Sequence, residues 1–110
     1  MATFNLVSQV VATTLTSSSV YPDLSPDRYG HFAVTHSGAR LSTSSDLAIA
    51  LQGTLDGGTT WFDIETVRPG DADYVNNTTA SWCRIVPLVQ QVRASIVNGN
   101  SLTIKVWVTE

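Results

Sequence analysis

The sequence predicts an all-β protein, an antiparallel β-sandwich or jelly roll of seven to eight strands with an extended N-terminal segment. Runs of Val, Thr, Ile and aromatic residues alternate with clusters of turn residues. No window has a convincing helical period. The final run alternates, with Leu102, Ile104, Val106 and Val108 on the inward face. The 110 residues are the size of one domain, which we assign to 1–110.

The first strand-like run covers about residues 3–16. Its apolar phase changes at Val10–Val11, which predicts a bulge or a strand that passes from one sheet to the other. Residues 17–30 are rich in Ser, Pro and Asp, so we expect 1–30 to be partly an arm or a long loop. Deletion of residues 1–24 is then expected to leave a folded core.

The middle of the chain predicts three strands and a further short one near Leu41. The first covers 31–36, with Phe32 and Val34 inward. The second covers 47–55, and the third covers 60–66. The residues expected on one face of the 47–55 strand are Leu47, Ile49, Leu51 and Leu55.

The C-terminal third predicts two short strands, or one bent strand, over 82–97, with Pro87 at the bend. One face of the second half carries Val92, Ala94 and Ile96. The sequence Asn98-Gly99-Asn100 predicts a hairpin turn into the last strand. The outward residues of that strand are Thr103, Lys105, Trp107 and Thr109.

A second turn motif is TLDGGTTW, residues 54–61. Thr54, Asp56, Gly58, Thr60 and Trp61 match the spacing of the Asp-box, which is familiar from sialidases and other propeller proteins. A propeller needs several blades of about 40–50 residues, and this chain has room for two at most. We therefore interpret the motif as a structural turn, in which Gly57 and Gly58 supply positive φ and Asp56 accepts hydrogen bonds from backbone amides.

Composition limits the possible partners. The net charge is −3 and the arginines are scattered, so we expect no nucleic-acid binding. No apolar run approaches the ~20 residues of a membrane helix, and no signal peptide is recognisable, so we expect synthesis in a cytoplasm and no membrane partner. Lys105 is the single lysine. A lysine-poor surface suits contact with other subunits, although a Ser/Thr-rich β-protein can have the same composition.

The chemistry-bearing residues do not predict an enzyme, a metal or a cofactor. His31 and His36 are five residues apart on one strand, which places them on opposite faces. Cys83 is expected to be a buried, inert thiol. An alternative is a calcium site formed by Asp71 and Asp73 with a neighbouring carboxylate, although no EF-hand pattern is present.

Trp61 and Trp107 are candidates for contact with another molecule. Strand alternation places both on the face opposite the core, where a bare indole is costly. The partner could be another subunit or a sugar stacked on the ring. For Trp61 the Asp-box resemblance indicates the opposite, because the aromatic residue of that motif usually packs inward.

The last sixty residues resemble small β-sandwich virion proteins of tailed bacteriophages. The resemblance rests on Asp56 to Trp61, on Val92-Arg93-Ala94, on Asn98-Gly99-Asn100 and on the final strand from Leu102 to Val108. It implies a structural virion protein without catalytic groups, made in the host cytoplasm and located in the virion. The most similar type is a capsid decoration, or cement, protein, which binds the outside of the shell and bridges capsid subunits.

The same resemblance implies the major capsid protein as partner and a homo-oligomer, with a trimer favoured. The capsid-contact candidates are Val20, Tyr21, Pro22, Asp23 and Leu24. The subunit-contact candidates are Trp61, Lys105 and Trp107. Two other functions remain open, a tail or neck component of the virion and a carbohydrate-binding adsorption module.

Overall fold

The computed structural model describes residues 3–22, 29–37, 46–68 and 81–109, and every structural statement below concerns these ranges. They contain eight β-strands and no helix. The strands are β1 (Thr3–Val11), β2 (Leu15–Thr16), β3 (Tyr29–His36), β4 (Ala48–Thr54), β5 (Phe62–Val67), β6 (Ser81–Pro87), β7 (Gln91–Val97) and β8 (Leu102–Thr109). Within the ranges just given, no helix is long and apolar enough to cross a membrane.

The strands form two antiparallel four-stranded sheets. Sheet I has the order β1-β8-β3-β6, and sheet II has the order β2-β7-β4-β5. This is the strand order of a jelly roll, in which one long hairpin folds over to form both sheets. Accordingly β1 pairs with β8, β2 with β7, β3 with β6 and β4 with β5. The predicted fold class is therefore confirmed, including its jelly-roll topology.

The core lies between the sheets and follows the predicted alternation. Phe32 and Val34 of β3 are fully buried, and so are Val106 and Val108 of β8. The predicted inward residues of β7 are also fully buried, namely Val92, Ala94 and Ile96. Two sheets with one apolar face each must pack these faces together, which explains why strict alternation located the core correctly.

The N-terminal segment is extended, but it is not a detached arm. β1 pairs with β8 along its whole length, and Val7 and Val11 belong to the core. After β1 the chain crosses to sheet II, where β2 pairs with β7. The run predicted over 3–16 thus passes between the sheets, but only after Val11. The irregularity in register lies earlier, between Asn5 and Val7, and Val10 and Val11 pair regularly with β8.

Residues 17–22 continue along the edge of sheet II. The Ser17 backbone N–H donates to the Ala94 carbonyl at 2.9 Å, and Val20 exchanges two backbone hydrogen bonds with Val92 at 2.9 and 3.0 Å. The buried Gln91 side chain donates to Ser19 Oγ at 2.7 Å. Residues 1–24 therefore include paired strands and core residues, which argues against the expectation that their removal would leave the core intact.

The two predicted turns differ in kind. Residues 55–61 connect β4 and β5, which pair with each other, so this turn closes a hairpin. Residues 98–101 connect β7 of sheet II with β8 of sheet I, so the expected hairpin at Asn98-Gly99 is wrong. Positive φ angles there lie at Asn98, Asn100 and Ser101 and not at Gly99.

Position 99 has no room for a side chain. A Cβ atom at Gly99 would lie 2.4 Å from the Val11 carbonyl oxygen and 2.6 Å from Val11 Cγ1. The N–H of Gly99 donates to the Thr13 carbonyl at 2.8 Å. The turn is thereby attached to the end of β1, which is a close backbone approach that only glycine permits.

Two further expectations, for Leu55 and for Cys83, are wrong. Leu55 is 74% exposed, because β4 ends at Thr54 and the turn carries Leu55 away from the core. Cys83 is exposed and not buried, because β6 is an edge strand whose residue 83 aligns with Ala33 on the outer face of sheet I. The short strand expected near Leu41 lies outside the described residues.

Candidate functional site

The turn between β4 and β5 is organised by Asp56. Its Oδ1 accepts the backbone N–H groups of Thr59 at 3.1 Å and Thr60 at 2.8 Å, and the Thr54 hydroxyl at 2.8 Å. Gly57 and Gly58 have φ angles of 76° and 103°, as predicted for this motif. The backbone hydrogen bond from Thr60, followed by the side-chain hydrogen bond from Thr54, lowers the pKa of Asp56 from 3.8 to about 2.

Trp61 folds back over this turn. Its Nε1 donates to the Gly58 carbonyl at 3.0 Å, and the Arg93 guanidinium lies 4.0 Å from the centroid of its ring. One ring face is therefore occupied by a cation–π contact. Trp61 is half-buried, neither fully outward nor part of the core, so the two conflicting expectations for it were each partly correct.

A polar row continues from Arg93 across the outer face of sheet II. Arg93 Nε donates to Gln52 Oε1 at 2.9 Å, and Gln52 Nε2 donates to Asp63 Oδ1 at 3.0 Å. The three side chains occupy adjacent strands in register. These side chains therefore bond to each other across three neighbouring strands.

The outer face of sheet I is different, and we call it the Trp107 face. Its central row crosses the sheet in register from Asn5 through Trp107 and Ala33 to Cys83. Ile85 and Tyr29 extend the face toward one end of β6 and β3, and they are 64% and 59% exposed. The Trp107 face therefore combines a half-buried indole with exposed aliphatic and aromatic side chains.

The structure brings two of the three subunit-contact candidates together. Lys105 and Trp107 are two residues apart on β8 and share the Trp107 face. Trp61 lies with Arg93 on the outer side of sheet II, so it does not belong to the same surface.

The capsid-contact candidates do not form one surface. Val20 packs against the core and Pro22 is buried, whereas Tyr21 is 66% exposed. Asp23 and Leu24 lie outside the described residues. Of the candidates that the structure describes, Tyr21 alone has a mostly exposed side chain.

The two histidines lie on opposite sides of β3, as expected. His31 is exposed, and His36 is buried with its Nδ1 3.0 Å from the Ser37 carbonyl oxygen. A shallow cavity of about 240 Å³ is lined by Thr35, His36, Ser37, Thr103 and Lys105. In the part of the chain that the structure describes, no three His, Cys, Asp or Glu residues are grouped to hold a metal ion. Asp71 and Asp73 lie outside it.

Sequence reasoning missed Tyr29, Ile85 and Val10 as surface residues. All three are more than half exposed. The available signal was alternation against Phe32 and Val34 in β3, which assigns Tyr29 to the outer face once the strand is extended to residue 29.

No protein-family model matches the chain, and no curated protein or solved structure matches it either.

Proposed function

We propose that this protein is a structural component of a phage virion, a decoration protein that binds the outer surface of the capsid and stabilises contacts between capsid subunits. The sequence pattern of the last sixty residues supports this proposal. So does the jelly-roll strand order, which is common in viral capsid domains, although a fold by itself hosts many functions.

The observation that carries the proposal is the difference between the two outer faces. On sheet II, Arg93, Gln52 and Asp63 bond to each other across three strands. On sheet I, the exposed Ile85 and Tyr29 lie toward one end of the face that carries the half-buried Trp107. Sheet II also exposes Phe62 and Val97, but only to 39% and 43%, against 64% and 59% for Ile85 and Tyr29. Strongly exposed apolar and aromatic side chains on a sheet face are typical of protein contact surfaces. We therefore assign capsid binding to the Trp107 face.

The test compares two lysine substitutions at exposed β-branched aliphatic residues. Ile85→Lys introduces a charge on the Trp107 face, whereas Val97→Lys introduces one on sheet II at a side chain that is 43% exposed. Each purified variant is mixed with phage particles that lack the protein, and the particles are sedimented through a density gradient. We expect Ile85→Lys to lower the bound fraction at least tenfold and Val97→Lys to bind like the wild type.

Equal binding by both variants would contradict the assignment of the Trp107 face. Failure of the wild-type protein to sediment with particles would contradict the virion proposal as a whole. Electron microscopy of the particles locates the bound protein, and density on the tail or neck instead of the head would favour a tail or neck component.

A carbohydrate-binding module is a second candidate, because an open sheet face with Trp107 and an exposed Tyr29 offers rings for stacking on a sugar. Jelly rolls also occur among lectins. A glycan array probed with the wild type and with Trp107→Ala distinguishes the two functions. Binding that is lost in Trp107→Ala, together with unchanged sedimentation with particles, would support sugar recognition.

A further inference from the structure

The free edge of β1 differs from the other sheet edges. β1 is the outermost strand of sheet I, and its nine residues include neither a charged residue nor a proline. The opposite edge, β6, carries Arg84 and Pro87, and the β5 edge of sheet II carries Asp63 and Glu65. Charges and prolines are the usual means by which proteins prevent edge strands from pairing. Among the described edges, only β1 combines length with the absence of both.

The backbone of β1 indicates which groups are available. The Val11 carbonyl accepts the Ser101 N–H at 2.9 Å, so the polar backbone groups of Val11 point toward β8. The polar groups of successive residues in a strand point to alternate sides. In the regular stretch from Val7 to Val11, Ser8 and Val10 therefore direct their N–H and C=O groups to the free edge. Both side chains are exposed, and Val10 is 58% exposed.

This stretch is self-complementary when it is paired antiparallel with a copy of itself about Gln9. Val7 then lies opposite Val11 of the second copy, both facing the core, and Ser8 lies opposite Val10, both facing outward. Gln9 lies opposite Gln9 of the second copy, and an amide side chain both donates and accepts hydrogen bonds. Every side chain of the stretch then meets a compatible neighbour on the same face.

We propose that β1 pairs with β1 of a second copy of this chain, forming a two-fold dimer in which sheet I continues through both molecules. The second copy is the favoured occupant because β1 has no charge that would repel its own image. The acidic β5 edge would set Asp63 and Glu65 against their own copies. The dimer would also place two Trp107 faces side by side on one continuous sheet.

The test uses opposite charges at the residue on the two-fold axis. Gln9→Lys and Gln9→Glu each place like charges opposite each other, so we expect each to weaken the dimer about fivefold, as like-charge cross-strand pairs do. An equimolar mixture of the two variants restores pairing, because Lys then lies opposite Glu. Val10→Pro removes an edge N–H that β8 does not use and is expected to abolish the dimer. Thr16→Lys, an exposed residue of sheet II, is the charge control.

Sedimentation velocity across a wide range of protein concentration gives the readout, and circular dichroism checks that each variant is folded. A concentration-dependent wild-type dimer, weakened in both Gln9 variants and restored in their mixture, supports the proposal. A monomeric wild type overturns it, and so does a dimer or trimer that persists in Val10→Pro. Mixed variants that stay monomeric overturn the register about Gln9. The measurement needs no virion, so its failure is separable from failure of the proposed function.

Discussion

Asp56 connects the two sides of the β4–β5 turn through one carboxylate oxygen. The backbone N–H groups of Thr59 and Thr60 and the Thr54 hydroxyl all donate to Oδ1. These donors favour the ionised form, so the turn is held by charge-assisted hydrogen bonds. Asp56 is also exposed, so water solvates its ionised form.

The lowered pKa of Asp56 predicts a pH dependence of stability. Because the folded-state pKa is about 2 and the usual value is 3.8, ionised Asp56 stabilises the fold fully above pH 3.8. This contribution is lost as the pH falls through about 2. We expect Asp56→Asn to be less stable than the wild type at neutral pH, with a difference that narrows across this window. Thermal unfolding of both proteins at a series of pH values measures it, and a constant difference would contradict the assignment.

Residue-scale prediction succeeded where one local rule decides the structure. The spacing of Asp56, Gly57 and Gly58 correctly predicted a turn with positive φ. At Asn98-Gly99-Asn100 the turn motif predicted a hairpin, which is wrong because β7 and β8 belong to different sheets. In the structure Gly99 packs closely against Val11, and Asn98, Asn100 and Ser101 take the positive φ angles. A contact between residues 88 positions apart cannot be found from a turn motif.

At the scale of elements, β1 lies within the strand-like run predicted over 3–16, but its partner and its place in the core were missed. Five of its nine residues are apolar, but their phase is interrupted near Leu6, because the register shifts between Asn5 and Val7. Its partner, β8, is at the far end of the sequence. By contrast, β3, β7 and β8 have an uninterrupted period of two, and their inward faces were predicted correctly.

The position of β1 predicts the effect of an N-terminal truncation. Removal of residues 1–11 takes Val7 and Val11 from the core and leaves β8 as an unprotected edge. We expect the truncated chain to lose its cooperative thermal transition and to aggregate, because the lost burial is a large part of a marginal stability. Circular dichroism and light scattering measure this. A soluble, cooperatively folding truncated protein would show that β1 is dispensable.

The candidate surface was predictable only in part at this scale. Alternation in β8 correctly placed Lys105 and Trp107 on one outer face. Beside Trp107 on that face lie Ala33 of β3 and Cys83 of β6. Their alignment with Trp107 depends on strand pairings between distant parts of the chain. Single-sequence patterns define the faces of a strand but not the strands beside it.

At the scale of the whole molecule, the jelly roll is nested around the β4–β5 turn. β4 and β5 are paired through residues 55–61, and β3 with β6, β2 with β7 and β1 with β8 pair at increasing separation in the sequence. Closing long loops costs entropy, so the local β4–β5 pairing is the favoured place for folding to begin.

This nesting predicts that two destabilising substitutions act on different rate constants, one on refolding and one on unfolding. Gly57→Ala forces a side chain into a φ of 76° with open space around it, at a cost of about 1 kcal/mol. We expect it to slow refolding about fivefold, since the turn is formed in the transition state. Val7→Ala in β1 should mainly accelerate unfolding. Stopped-flow refolding and unfolding in urea measure both, and slower refolding in Val7→Ala alone would reverse the proposed order.

The pairing of β1 with β8 also has a consequence during synthesis on the ribosome. Thr3 pairs with Thr109, and Val11 pairs with Leu102, so β1 has no neighbour in sheet I until nearly all of these residues have been translated. At ~5–20 residues per second, the nascent β1 waits roughly 5–20 s for its partner. Throughout that time its uncharged edges are open on both sides, in the polysome where other copies of the same nascent strand are close.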